Sequence, residues 1–142
     1  MDTTIVDETE SASIEYRNGA SWVKLSIRLA EDFTGGTVVR LAPGARVALE
    51  AGDDLSSTYT TRNWFSGIAS GAFYAYRTLK VPRRVVLVTN LAGRLGSGDI
   101  QVLAHATARM VADILHGALP RQELAGWQVL NAEVSKNGVK SA

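Results

Sequence analysis

Apolar and polar residues alternate between Trp22 and Leu29, which is typical of a strand with one buried face. The apolar positions of this run are Val23, Leu25, Ile27 and Leu29. Asn18-Gly19 precedes the run and predicts a type I′ hairpin with the segment SIEYR before it. Trp22 falls on the polar side of the strand.

Two further strands are predicted before the middle of the chain, at TVVRL (residues 37–41) and RVALE (residues 46–50). Pro43-Gly44 lies between them and is typical of a type II turn, because Pro fixes φ and Gly tolerates positive φ. The first half of the chain therefore predicts an antiparallel meander of four strands.

Helical periodicity follows, with apolar side chains on one face from Trp64 to Leu79. Gly67 and Gly71 lie beside this face. Because glycine inside a helix costs about 1 kcal/mol relative to alanine, this pair predicts the close approach of another backbone.

RRVVLVTNL (residues 83–91) is a continuous apolar run and predicts a central strand. A second helix is expected from about Asp99 to His116, with Asp99 as its N-cap. GWQVLNAEVS (residues 126–135) is an optional last strand. This order predicts an α+β fold, a two-layer sandwich over residues 13–135, with flexible tails at residues 1–12 and 136–142.

Composition adds limits to this picture. The chain has 142 residues and no cysteine, which fits one domain without disulfides or thiolate metal sites. It has no apolar run of about 18 residues and no signal-peptide pattern at the N-terminus, so we expect a cytoplasmic protein without a membrane segment. No cofactor is expected.

Charge is distributed unevenly along the chain. Six basic residues and no acidic residue lie between Leu55 and Gly98. Such a region attracts an anionic partner, although a solvated surface with counter-charges elsewhere in the fold also explains it.

Two segments carry a resemblance to a known fold. SGAFYAYRTL contains a Gly-x-x-x-Ala helix pattern, and RRVVLVTNLAGRLGSGDIQVLAHATARMVADIL combines an apolar strand, a glycine-containing loop and an alanine-rich helix. Together with the element order, they resemble the ribosomal protein S5 domain 2-like fold, and within it domain IV of elongation factor G, over roughly Ser13 to Leu115. The fold is also used by phosphate-handling enzymes. A kinase-type phosphate loop is not evident here, and translocase activity does not carry over without the other elongation-factor domains.

The glycine-containing loop before the second helix is a candidate anion site. Arg94 and Ser97 lie where a helix N-terminus presents free amides, and the Arg94 guanidinium can bind an oxyanion through two hydrogen bonds. Asp99 argues for a plain structural turn instead, since its carboxylate as N-cap would occupy those amides.

His105 and Asp99 are the candidate catalytic residues, with His105 as general base. His105 and His116 share the polar face of the second helix but lie about 16 Å apart, too far to share a metal ion. We therefore expect no metal site, and two surface histidines are the alternative. Arg62 and Asn63 flank the apolar stripe of the first helix and are candidate ligand contacts.

Phe73 and Tyr74 fall outside that apolar stripe. With Trp22 they form a candidate interface and predict a homodimer. An aromatic pair covered by the C-terminal segment is the alternative.

Three functions fit these observations. The first is a small S5-like domain that binds an anionic partner, either RNA or a phosphorylated or otherwise anionic small molecule. The second is a cofactor-free biosynthetic enzyme, such as an isomerase, cyclase or lyase. The third is an assembly subunit without catalysis. The residues do not identify a substrate.

Overall fold

The fold is seen in a computed structural model that describes residues 10–32, 37–51, 61–96, 99–120 and 124–135. The predicted tails at residues 1–12 and 136–142 lie almost entirely outside these ranges. The elements in chain order are β1 (Ser11–Asn18), β2 (Ser21–Asp32), β3 (Val39–Ala51), α1 (Thr61–Leu79), β4 (Arg84–Leu95), α2 (Gln101–Ile114) and β5 (Gln128–Ser135).

The five strands form one mixed sheet in the order β3-β4-β2-β1-β5. Only β3 and β4 pair in parallel, and the other described neighbours are antiparallel. Both helices pack on one face of this sheet and enclose a single core. This confirms the predicted two-layer α+β sandwich, and the optional last strand is present as β5.

The predicted meander is wrong in its second half. Residues 39–51 form one edge strand, and the pairing with β4 shifts register between Leu41 and Arg46. Pro43-Gly44, with φ of 78° at Gly44, therefore lies in an irregularity within β3 and not in a turn between two strands. β4 lies between β3 and β2 in the sheet, and its continuous apolar run is typical of such a central strand.

The first hairpin turn lies one residue later than predicted. Asn18 pairs with Ser21, so Gly19 and Ala20 are the two central residues. Gly19 has φ of 63°, and Ala20 is not in the positive-φ region. Positive φ at the first central position alone matches a type II′ turn, which takes glycine there, instead of the predicted type I′ turn.

The close approach predicted at Gly67 and Gly71 is confirmed. A Cβ added at Gly71 would lie 2.8 Å from the Cα of Ala104 and closer still to its carbonyl oxygen. At Gly67 the added atom would lie 3.0 Å from Cγ2 of Ile100. The two glycines thus allow α1 to sit directly against the backbone of α2.

Helix α2 is shorter than the predicted span from Asp99 to His116. Ile100 is its N-cap, without a side-chain capping hydrogen bond. His116 lies beyond the helix, is exposed and has φ of 59°. No described helix is both long enough and apolar enough to cross a bilayer.

The second face of the sheet is covered by no described element, and we call it the open face. Cross-strand pairing places four rows of side chains on it. A hydrogen bond of 3.0 Å between Ser13 Oγ and Ser26 Oγ joins β1 to β2 there. From β3 to β5 three rows read Glu50-Arg94-Trp22-Arg17-Gln128, Ala48-Ala92-Lys24-Glu15-Asn131 and Arg46-Asn90-Ser26-Ser13-Glu133, and from β3 to β1 the fourth reads Arg40-Leu87-Arg28-Ser11.

Candidate functional site

An open cleft of about 930 Å³ lies on the helix side of the molecule. Helix α2 forms its floor, and its walls come from α1, residues 117–120, Leu124, Trp127 and the start of β5. The lining residues include Tyr16, Ser70, Gly71, Tyr74, Ala104, His105, Ala108, Arg109, Ala112, Asp113, Leu119, Leu124, Trp127 and Val129. Its volume falls in the range of small-molecule sites.

The shape of the cleft follows from the sequence of α2. Ala104, Ala108 and Ala112 recur at every fourth position, so one strip of the helix surface carries only methyl groups. The bulkier Leu119, Leu124 and Trp127 pack partly against the core on the other side of the cleft. The result is a groove in which apolar and polar lining surfaces are similar in extent.

A polar cluster forms part of this lining. The hydroxyl of Tyr16 lies 3.2 Å from Nδ1 of His105, and the two rings meet edge to face with centroids 6.0 Å apart. The direction of this hydrogen bond depends on the tautomer of the imidazole: a protonated Nδ1 donates to the phenol oxygen and leaves Nε2 as the basic nitrogen, whereas an unprotonated Nδ1 accepts from the phenol hydroxyl. The contact fixes the orientation of the His105 ring at the cleft floor.

Arg109 is the second partner of Tyr16. Burial raises the pKa of the Tyr16 phenol, while a hydrogen bond from Arg109 and its positive charge act in the opposite direction. The phenol therefore stays protonated at neutral pH. Arg109 Nε also lies 3.9 Å from Asp113 Oδ2, and both side chains are 44% exposed.

This arrangement combines three chemical capacities. Arg109 offers a guanidinium that matches carboxylate or phosphate oxygens, although Asp113 competes for it. His105 supplies an imidazole, which can accept or donate a proton. Trp127 and the two leucines offer an apolar wall for the remainder of a ligand.

The two predicted catalytic residues are not brought together. His105 lies in the cleft, whereas Asp99 does not line it. Asp99 Oδ2 accepts hydrogen bonds from the Gly96 amide at 2.9 Å and from Ser21 Oγ at 3.3 Å. The carboxylate thus binds its own loop and β2 instead of the first amides of α2, so the predicted N-cap role of Asp99 is wrong.

The predicted ligand contacts are also dispersed. Arg94 stands on the open face, between Glu50 and Trp22, on the side of the sheet away from the cleft. Asn63 is half-buried in the first turn of α1. Ser97 and the side chain of Arg62 lie outside the described part of the structure.

The three predicted interface aromatics do not form one patch. Trp22 is half-buried on the open face, whereas Phe73 and Tyr74 lie on α1 and pack partly against the core. The guanidinium of Arg83 sits 5.0 Å from the ring centroid of Phe73, and Tyr74 lines the cleft. The homodimer stays a prediction.

Sequence reasoning left Tyr16, Arg109 and Trp127 out of the candidate site. Arg109 follows His105 by four residues on the same helix face, and this spacing was the signal available for it. Tyr16 continues the inward alternation of Ile14 in β1. Nothing local in the sequence pairs Tyr16 with a histidine 89 positions away.

Comparison of the chain with protein-family models, with curated proteins and with solved structures finds no match. The resemblance to the S5 domain 2-like fold therefore stays a prediction.

Proposed function

We propose that this protein binds a small anionic organic molecule in the cleft. Arg109 would hold the carboxylate or phosphate group, and Trp127 with the neighbouring leucines would contact the apolar part of the molecule. The observation that carries the proposal is the hydrogen bond between the Tyr16 phenol and His105, which lies with Arg109 in the lining of a cleft of about 930 Å³. The proposed S5-like architecture, which also serves phosphate-handling enzymes, is compatible with this ligand class.

A thermal-shift panel tests the proposal. It pairs aromatic and aliphatic carboxylates and phosphate monoesters with their uncharged amide and alcohol analogues. A ligand at about 100 times its Kd stabilises the folded state by about 2.7 kcal/mol, which is readily measured as a rise in Tm. We expect the charged members to raise Tm and the uncharged analogues not to do so.

Two variants of equal charge make the test specific. Arg109→Gln removes the guanidinium from the cleft, whereas Arg77→Gln removes an exposed one from α1. The anionic ligand should still stabilise the Arg77→Gln protein but not the Arg109→Gln protein. Equal stabilisation by charged and uncharged analogues, or unchanged binding to Arg109→Gln, would contradict the proposal.

A cofactor-free enzyme is the second candidate function, and the His105–Tyr16 hydrogen bond favours it. A histidine held in one orientation beside an anion-binding arginine is suited to remove a proton from the carbon next to a carboxylate. Such a step begins many isomerase and lyase reactions. His105, without Asp99, would carry it, and Tyr16 would position the imidazole.

Deuterium exchange distinguishes the enzyme from a binding protein. Each carboxylate that binds is incubated with the protein in D₂O, and NMR follows its C–H signal. An enzyme exchanges that hydrogen, and His105→Gln abolishes the exchange while the ligand still raises Tm. Tyr16→Phe should slow the exchange and change its pH profile. Binding without exchange for every ligand would exclude this reaction class and leave the binding function standing.

A further inference from the structure

The open face has a charge pattern distinct from that of the cleft. Its four rows carry six basic and three acidic side chains, a net charge of +3, whereas the whole chain has a net charge of +1. The basic residues are Arg17, Lys24, Arg28, Arg40, Arg46 and Arg94. At about 4.8 Å between strands and about 6.6 Å between rows, the face measures roughly 19 by 20 Å.

Three of the arginines are grouped at one end of this face. Arg40 and Arg28 flank Leu87 across β4, and Arg46 lies opposite Asn90 in the adjoining row. Among the side chains that the structure describes, no carboxylate forms an ion pair with these three. We call them the arginine triad.

The acidic residues are placed away from the triad. Glu50 is the cross-strand neighbour of Arg94, and Glu15 is the neighbour of Lys24. Glu133 lies on β5, at the opposite edge of the sheet from β3. Within the four rows, the largest group of basic side chains without an acidic cross-strand neighbour therefore lies over β3, β4 and β2 around Leu87 and Asn90.

Trp22 provides a different contact at the other end of the face. It lies in one row with Arg94 on one side and Arg17 on the other, and it is only half-buried. An aromatic ring on a sheet surface between two cations is suited to stack a base whose flanking phosphates meet the arginines.

We propose that the open face binds single-stranded nucleic acid, with the arginine triad on the phosphates and Trp22 stacked on a base. An uncovered sheet face fits unpaired bases that can splay out, whereas a duplex presents its phosphates on a convex cylinder. No described helix or loop rises from this face to enter a groove. A lipid surface fits less well, since Trp22 and Leu87 are the only large apolar side chains in the four described rows.

Fluorescence anisotropy tests this site with labelled oligouridine and oligothymidine of about 12 nucleotides, a length within the range of single-domain strand binders. We expect both oligomers to bind at low salt. The logarithm of affinity should fall linearly with the logarithm of salt concentration, with a slope of about −0.7 per phosphate contact. Tighter binding of oligouridine would identify RNA as the natural strand.

Substitutions test the phosphate contacts of the arginines and the stacking contact of Trp22 separately. Arg40→Gln with Arg46→Gln should weaken binding at least about tenfold and reduce the salt slope by about 1.4, corresponding to two lost phosphate contacts. Trp22→Leu should weaken binding about tenfold with the slope unchanged, because stacking releases no counterions. The matched control, Arg77→Gln with Lys80→Gln, removes two exposed charges outside the face and should change affinity less than twofold.

Four outcomes would overturn the proposal. These are no binding at low salt, equal weakening by the control pair, tighter binding of a duplex of the same length, or binding to phosphatidylserine vesicles without binding to either oligomer. The result is independent of the proposed function, because Arg109→Gln should leave oligomer binding unchanged while it removes the small ligand from the cleft.

Discussion

Replacement of Gly71 by alanine tests how closely the two helices must pack. In the native structure the added Cβ would lie 2.8 Å from both Cα and the carbonyl carbon of Ala104, and closer to the oxygen. Ordinary van der Waals contacts begin at 3.4 Å, so α1 and α2 must separate by at least about 0.6 Å. The obstacle is backbone, which cannot rotate away as a side chain can.

Two opposing effects set the size of the change. Overpacking of this kind costs about 1–3 kcal/mol, and we take the upper end because a backbone atom blocks the site. Alanine in place of glycine within a helix stabilises it by about 1 kcal/mol. We therefore expect Gly71→Ala to lower the free energy of unfolding by about 2 kcal/mol and Tm by about 4–8 °C.

Urea unfolding followed by far-UV circular dichroism measures this change, with tryptophan fluorescence as a second probe. Ser70→Ala is the control, because it alters an exposed neighbour in the same helix and should leave stability unchanged or raise it by up to about 0.5 kcal/mol. A Gly71→Ala protein as stable as the native one would refute the close approach. Since Gly71 and Ala104 both line the cleft, the variant should also bind the small anion more weakly.

Other predictions concern single groups. The buried Thr107 hydroxyl has no hydrogen-bond partner within the described ranges, so Thr107→Val should raise the free energy of unfolding, measured in urea, by about 1 kcal/mol. A lower free energy of unfolding would contradict this and would show that the hydroxyl is hydrogen-bonded in the folded protein. Burial raises the pKa of Tyr76 to about 12. The unfolded chain ionises first, so stability should be complete below pH 10 and fall toward pH 12, a fall that Tyr76→Phe should reduce. Light scattering at tens of micromolar tests the homodimer. The mass of one chain would exclude it, whereas Phe73→Ser with Tyr74→Ser should convert a dimer into folded monomers.

Local patterns predicted most of the elements, although β3 was divided into two strands, and they did not predict every pairing. The alternation in β2 predicted its buried face, and Gly67 and Gly71 predicted the contact between helices. Pro43-Gly44 was ambiguous, since the same dipeptide serves a turn or an irregularity within one strand. The neighbour of β3 could not be predicted either, because parallel pairing with β4 depends on a connection through α1 and not on any adjacent turn.

The sequence likewise predicted only some of the residues of the candidate site. His105, Arg109 and Asp113 share one face of α2 through their spacing, and the sequence places them together. Tyr16 and Trp127 reach the cleft from distant parts of the chain, so only the assembled fold shows them. Asp99 had the residue type and position of a helix cap, but the Gly96 amide and the Ser21 hydroxyl bind its carboxylate instead.

The position of β4 between β3 and β2 has a consequence for synthesis on the ribosome. Among the described strands, β3 pairs with β4 alone, and β4 is made after β1, β2, β3 and α1. Of the described strand pairings, a nascent chain that ends before Arg84 can therefore form only the β1–β2 hairpin, which is marginal in isolation. The hydrogen-bonding edges of β2 and β3 remain unpaired until Leu95 has emerged, and the apolar face of β1 and β2 stays uncovered until α2 follows. During this interval of elongation the chain is most exposed to aggregation and most open to chaperone binding.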